Sequence, residues 1–65
     1  MIKCKCVKDL TVSEELKFSN NSFYFYEFVP SMGNWGAIYR IYLENGKFHN
    51  FSFSEFREFF KNFQL

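Results

Sequence analysis

A chain of 65 residues and 7.9 kDa has room for one domain. Apolar residues make up 48% and aromatic residues 25%, with 11 Phe, 4 Tyr and one Trp, and eight Lys/Arg against seven Asp/Glu leave a formal charge of +1. These values exclude a collagen-like chain, an acidic disordered chain and a strongly basic chain built to coat nucleic acid.

In so small a domain the gain from burying apolar surface barely offsets the cost of ordering the backbone. Phe delivers the most apolar area per residue ordered, so the aromatic excess reads first as core. Any surplus reads as a surface for a partner.

Ile2 to Lys8 alternates, with Ile2, Cys4 and Cys6 on one side and Lys3 and Lys5 on the other. Period two predicts a half-buried strand over residues 2–8. Asp9 to Asn21 is polar and acidic, punctuated without a clean period by Leu10, Val12, Leu16 and Phe18. It reads as a long excursion between strands, with one short turn of helix at Ser13-Glu14-Glu15-Leu16. Phe23 to Val29 is aromatic on both sides, Phe23 and Phe25 opposite Tyr24, Tyr26 and Phe28, and predicts the second strand. Pro30 and Gly33 mark a loop, and residues 35–44 predict a third strand. Asn45-Gly46 between two alternating runs predicts a two-residue type I′ hairpin. That register pairs Leu43 with Phe48 on the core side, and Tyr42 with His49 and Arg40 with Phe51 on the outer side. The fourth strand then covers 47–52.

The tail predicts a helix over 54–63. Ser54 is one candidate N-cap, and Ser52 with Glu55 fits a capping box one turn earlier. Phe56, Phe59, Phe60 and Phe63 follow at i, i+3, i+4 and i+7, a helical stripe able to close the sheet. The expected fold is α+β: a single domain over 1–65, an antiparallel sheet of about four strands, and a C-terminal amphipathic helix.

Cys4 and Cys6, two apart on one strand, cannot approach closely enough for a disulfide, and two Cys are too few for a stapled secreted scaffold. With His49 as the lone imidazole, no metal site is completed. The start of the chain is charged and lacks the apolar segment of a signal peptide, and no apolar run approaches the ~18 residues of a membrane span. A protein of the cytoplasm with reduced, buried thiols and no membrane association is expected.

The inventory for catalysis is thin. No nucleophile–base pair, carboxylate pair or phosphate loop stands out, and 65 residues leave little volume for a buried pocket. No enzymatic activity and no cofactor are expected. Binding remains. Trp35, at a loop–strand junction, together with Tyr24, Tyr26, Arg40, Tyr42 and His49, is the candidate partner surface, since Trp, Tyr and Arg anchor interface centres. A homo-oligomer hiding this surface is an equal physical solution. The alternative is nucleic acid, contacted by Lys3, Lys5 and Lys8 with tyrosines stacking on bases, although Lys3 and Lys5 serve equally to protect an edge strand. A third reading is an oligomer that sequesters a nucleotide signal between its subunits.

Ile2-Lys3-Cys4-Lys5-Cys6-Val7-Lys8-Asp9 and the Phe-rich segment Phe51-Ser52-Phe53-Ser54-Glu55-Phe56-Arg57-Glu58-Phe59-Phe60 give the chain a resemblance to a group of small phage-encoded proteins. The resemblance covers about half the chain. It departs in the middle, where Phe18-Ser19-Asn20-Asn21-Ser22-Phe23 stands in place of a Gly-Lys-x-Tyr turn. It implies an SH3-like or partly open barrel, and an accessory phage or prophage protein in the bacterial cytoplasm. Such a protein would bind and inhibit a host or defence protein, as anti-CRISPR proteins do.

Overall fold

A computed structural model describes residues 1–30, 33 and 36–62. Trp35 and Phe63 lie outside the described residues. The alternating start forms β1 (Ile2–Cys6), with Cys4 and Cys6 fully buried. It stops short of residue 8 because its partner strand begins only at Phe60: Val7 N still donates to the carbonyl of Phe59 at 2.8 Å, but Phe59 is helical. The excursion that follows carries a hairpin of its own, β2 (Leu10–Thr11) against β3 (Lys17–Phe18). At its tip Val12 N donates to Leu16 O at 2.9 Å and Leu16 N to Ser13 O at 3.2 Å. The expected helical turn at 13–16 is thus a reverse turn inside a hairpin. Asn21, at φ 69, brings the chain back, donating its amide to Cys6 O at 2.7 Å; Asn is among the few residues that tolerate this region.

The chain continues through β4 (Phe23–Val29), β5 (Ile38–Tyr42), β6 (Phe48–Phe51), α1 (Phe53–Phe59) and β7 (Phe60–Asn62). Five strands form one antiparallel sheet in the order β6-β5-β4-β1-β7, and β2-β3 is a second, two-stranded sheet. The main sheet is not closed, its ends being β6 and β7. With seven strands and one seven-residue helix among the described residues, the fold is mostly β. The α+β expectation holds only for the antiparallel sheet with a helix packed on it.

The β5–β6 register is one residue away from the expected one. Tyr42 pairs with Phe48, Ile41 with His49, Arg40 with Asn50 and Tyr39 with Phe51. A type I′ turn needs positive φ at both central residues, and here Gly46 has φ 88 while Asn45 does not share it. Gly46 N donates to Leu43 O at 3.0 Å and Leu43 N to Lys47 O at 2.7 Å, so Glu44, Asn45 and Gly46 form a three-residue loop. Asn45 Oδ1 accepts from Lys47 N at 2.9 Å, an Asx turn that suits the right-handed conformation. A one-residue slip transfers each side chain of a strand to the other face. His49 therefore goes to the covered face and Phe48 to the open one.

The helix is shorter than its Phe stripe suggests. Ser52 is the N-cap: its Oγ accepts from Glu55 N at 3.2 Å while Glu55 Oε1 accepts from Ser52 N at 3.0 Å, a complete capping box. Phe60 takes extended angles (φ −137, ψ 156) and opens β7, where it pairs with Cys6. Strand pairing with β1 satisfies backbone groups that a further helical turn would satisfy only internally, and it keeps the Phe60 ring inside.

The core is a set of mutually packed rings. Phe18 meets Phe51 at 5.5 Å and Phe60 at 5.6 Å edge to face, and Phe56 stacks on Phe60 at 5.8 Å and on Tyr39 at 4.3 Å. Such pairs add about 0.5–1.5 kcal/mol each beyond burial. Cys4, Cys6, Tyr26 and Ile41 floor the cluster. Burial pushes the Cys4 thiol up to about 12, with the neighbouring Cys6 adding to it, and burial also raises Cys6.

Two outcomes follow. Phe60→Ala should cost about 3–5 kcal/mol, enough to unfold much of the population, whereas Phe25→Ala, at a ring 53% exposed, should cost less than about 1 kcal/mol in urea melts. Because the folded state holds the Cys4 proton more tightly than the unfolded chain, whose thiols titrate near 9.0, stability is fully present below pH 9.0 and is lost as pH rises toward 12. Urea midpoints under reducing conditions should fall across that window, and Cys4→Ala should make the decline shallower.

Candidate binding face

Residues paired across strands share a face, so the registers sort the sheet into two surfaces. Tyr26, Ile41, Phe51 and Phe60 turn toward the helix and the β2–β3 hairpin, both of which pack on that side. Lys3, Lys5, Lys61, Phe23, Phe25, Glu27, Arg40, Tyr42, Phe48 and Asn50 turn to the other. On that open face Phe23, Phe25 and Phe48 are 45%, 53% and 44% exposed.

The rings and cations of this face are in contact. Lys3 Nζ lies 4.9 Å and Lys5 Nζ 5.9 Å from the centroid of Phe23. The Arg40 guanidinium sits 4.7 Å from the Phe48 centroid, donates through Nε to Asn50 Oδ1 at 3.0 Å, and faces Glu27 Oε1 at 3.6 Å. Tyr42 donates its hydroxyl to the same Glu27 oxygen at 2.5 Å and packs on Phe48 at 5.4 Å. That donated hydrogen bond to a carboxylate is the main reason the Tyr42 phenol is held above its usual range, so it stays a neutral donor. Lys5 stands directly opposite Lys61 on the neighbouring strand, a like-charge pair that works against the fold.

The residues singled out from the sequence are divided by this geometry. Arg40 and Tyr42 lie together on the open face. Tyr26 is 3% exposed beneath Phe56 and donates its hydroxyl to Asn62. Tyr24 packs edge-on against Phe18 at 5.1 Å and accepts from Ser19 N at 2.8 Å. His49, carried over by the register shift, meets the edge of Phe51 at 4.8 Å. The expected common surface of Tyr24, Tyr26, Arg40, Tyr42 and His49 is therefore split between opposite faces.

Lys3 and Lys5 share the open face, while Lys8, beyond the end of β1, has its Nζ 6.0 Å from Phe59 on the covered side. Edge protection does not account for Lys3 and Lys5, because β1 is an inner strand flanked by β4 and β7. The sequence pattern places Phe48 on the core side and carries no signal that sets Phe23, Phe25 and Lys61 apart; the registers put all four on the open face. Period two put Phe23 and Phe25 opposite the tyrosines, but which side was covered was not readable from β4 alone.

At one end the open face runs into a groove of about 460 Å³ lined by Met1, Phe23, Tyr24, Phe25, Tyr42, Leu43, Glu44 and Gly46. It holds no base beside a nucleophile, and its polar groups do not converge on one point. Among the described residues no group of three or more His, Cys, Asp and Glu is placed to hold a metal ion, and no helix is long and apolar enough to cross a membrane. Comparison with protein-family models, with curated proteins and with solved structures finds no match for this chain.

Proposed function

We propose that this protein is a small non-enzymatic binder of the phage accessory type, which blocks a component of a host or bacterial-defence system with the open face of its sheet. One observation carries the reading: half-exposed Phe23, Phe25 and Phe48 stand among cations on a face that neither the helix nor the hairpin covers. Three large rings on one open surface are costly in water and are expected where a partner is to sit. Phe23 and Phe48 are held beforehand by cation–ring contacts, and the Glu27–Arg40–Tyr42 cluster orders the side chains beside them, which lowers the ordering cost of binding.

The path of the chain supports the SH3-like, partly open-barrel expectation. A first strand is followed by an excursion with its own hairpin, a meander of three strands, a short helix, and a last strand returning beside the first.

The wild-type chain, immobilised and exposed to bacterial lysate, should retain a defined component that the double variant Phe25→Ala, Phe48→Ala releases. A variant on the wet side of α1, Glu58→Ala, should retain it. Equal retention by the open-face variant, or no specific retention by the wild type, would remove this reading.

A further inference from the structure

We infer that the occupant of the open face is a single-stranded nucleic acid, spanning about four nucleotides, with bases stacked on Phe25 and Phe48 and phosphates beside Lys3, Lys5 and Lys61. The inference rests on the proposal that this face is the binding surface, and adds the class of partner.

Charge is the first argument. The whole chain is nearly neutral, but its charges are segregated. The open face carries Lys3, Lys5, Lys61 and Arg40 against Glu27, with Glu44 in the groove at its end, leaving four cations against five carboxylates elsewhere. Affinity for a polyanion follows the local cation count and not the net charge. Lys5 and Lys61 are held directly opposite each other, a repulsion that a phosphate between them would turn into attraction.

Ring chemistry is the second. Phe25 and Phe48 stand two strands apart with Tyr42 between them, Phe25 opposite Tyr42 and Tyr42 opposite Phe48, so three aromatic residues cross β4, β5 and β6 in one row. Base–ring stacking is tolerant of sequence and needs an exposed ring, which Phe25 and Phe48 supply at 53% and 44%. The lysines lie on β1 and β7, at the other side of the same face. Rings in one row with cations alongside match the base and phosphate sides of a single strand.

Size is the third. With strands ~4.8 Å apart and ~3.3 Å per residue, the face measures roughly 19 by 16 Å. That span fits the short end of single-strand site sizes, about four nucleotides. A duplex would present its phosphates and bury its bases, leaving the rings without partners.

The test is fluorescence anisotropy with end-labelled 12-nucleotide oligo(dT) and oligo(U), a 12-base-pair duplex as control, and salt varied from 50 to 200 mM. Binding of a single strand in preference to the duplex is expected. If three phosphates are neutralised, the fourfold rise in salt should weaken it roughly 20-fold. Phe25→Ala and Phe48→Ala should each weaken binding roughly tenfold at constant salt dependence. The double variant Lys5→Gln, Lys61→Gln should flatten the salt dependence to about a third of its slope. Phe25, Phe48 and Lys61 are exposed and Lys5 is half-buried, and thermal melts of each variant will show that it folds.

No binding to either oligonucleotide, equal binding to duplex, or indifference to the Phe variants would overturn the inference. If, at the same time, a lysate protein were released by Phe25→Ala, Phe48→Ala and held through 200 mM salt, the open face would stand as a binding surface with a protein occupant. Loss of that dependence as well would remove both.

Discussion

The mutual packing of Phe18, Phe51, Phe56 and Phe60 is the contact on which the rest of the molecule depends. These rings come from the excursion hairpin, from β6, from α1 and from β7, so four parts of the chain with little structure of their own are joined at one place. A two-residue strand or a seven-residue helix is not stable alone. Each is ordered because its ring has a socket in the others. The β1–β7 pairing depends on the same point, since Phe60 is both a member of the cluster and the partner of Cys6.

One consequence is asymmetry. The helix and the β2–β3 hairpin both pack on one side; on the other, among the described residues, Ile38 is buried at the end of β5 while Phe23, Phe25 and Phe48 stand half exposed. The open face must then either be polar or be covered by something else. It is instead half aromatic, with Phe23, Phe25 and Phe48 among lysines. Cation–ring contacts partly reconcile these residues with water, each contributing about 0.5–1 kcal/mol at exposed sites. They leave the rings accessible, which sets this face apart from an ordinary solvated sheet surface.

The two faces also differ in how firmly they are specified. On the covered side a register error would expose Ile41 and Phe51 and bury Arg40 and Asn50, so register there is strongly determined. On the open side the Glu27–Arg40–Tyr42 cluster and the Arg40–Asn50 hydrogen bond fix side chains across three strands without burying them. Order at an exposed surface, held by exposed groups, costs stability that a domain this small has little of. It makes physical sense where the surface has a partner.

Local patterns were sufficient for the strand at β1, for the division of β4 into a Phe side and a Tyr side, for a hairpin at Asn45-Gly46 and for the Ser52/Glu55 capping box, because each depends on residues within one turn or one alternation. The same patterns could not choose between two loops that both place Gly46 at positive φ, nor say that Phe60 would leave a helical stripe for a strand. They also gave no sign that Phe18 would enter the core from a polar segment. Those outcomes were decided by contacts between residues far apart in the chain: Ile41 against Tyr26, Phe60 against Cys6, Phe18 against Phe51 and Phe60. Whether Phe48 or His49 faces outward followed from the burial of Ile41 and Phe51, since local backbone preference differs little between the two registers while the burial of whole side chains differs by several kcal/mol.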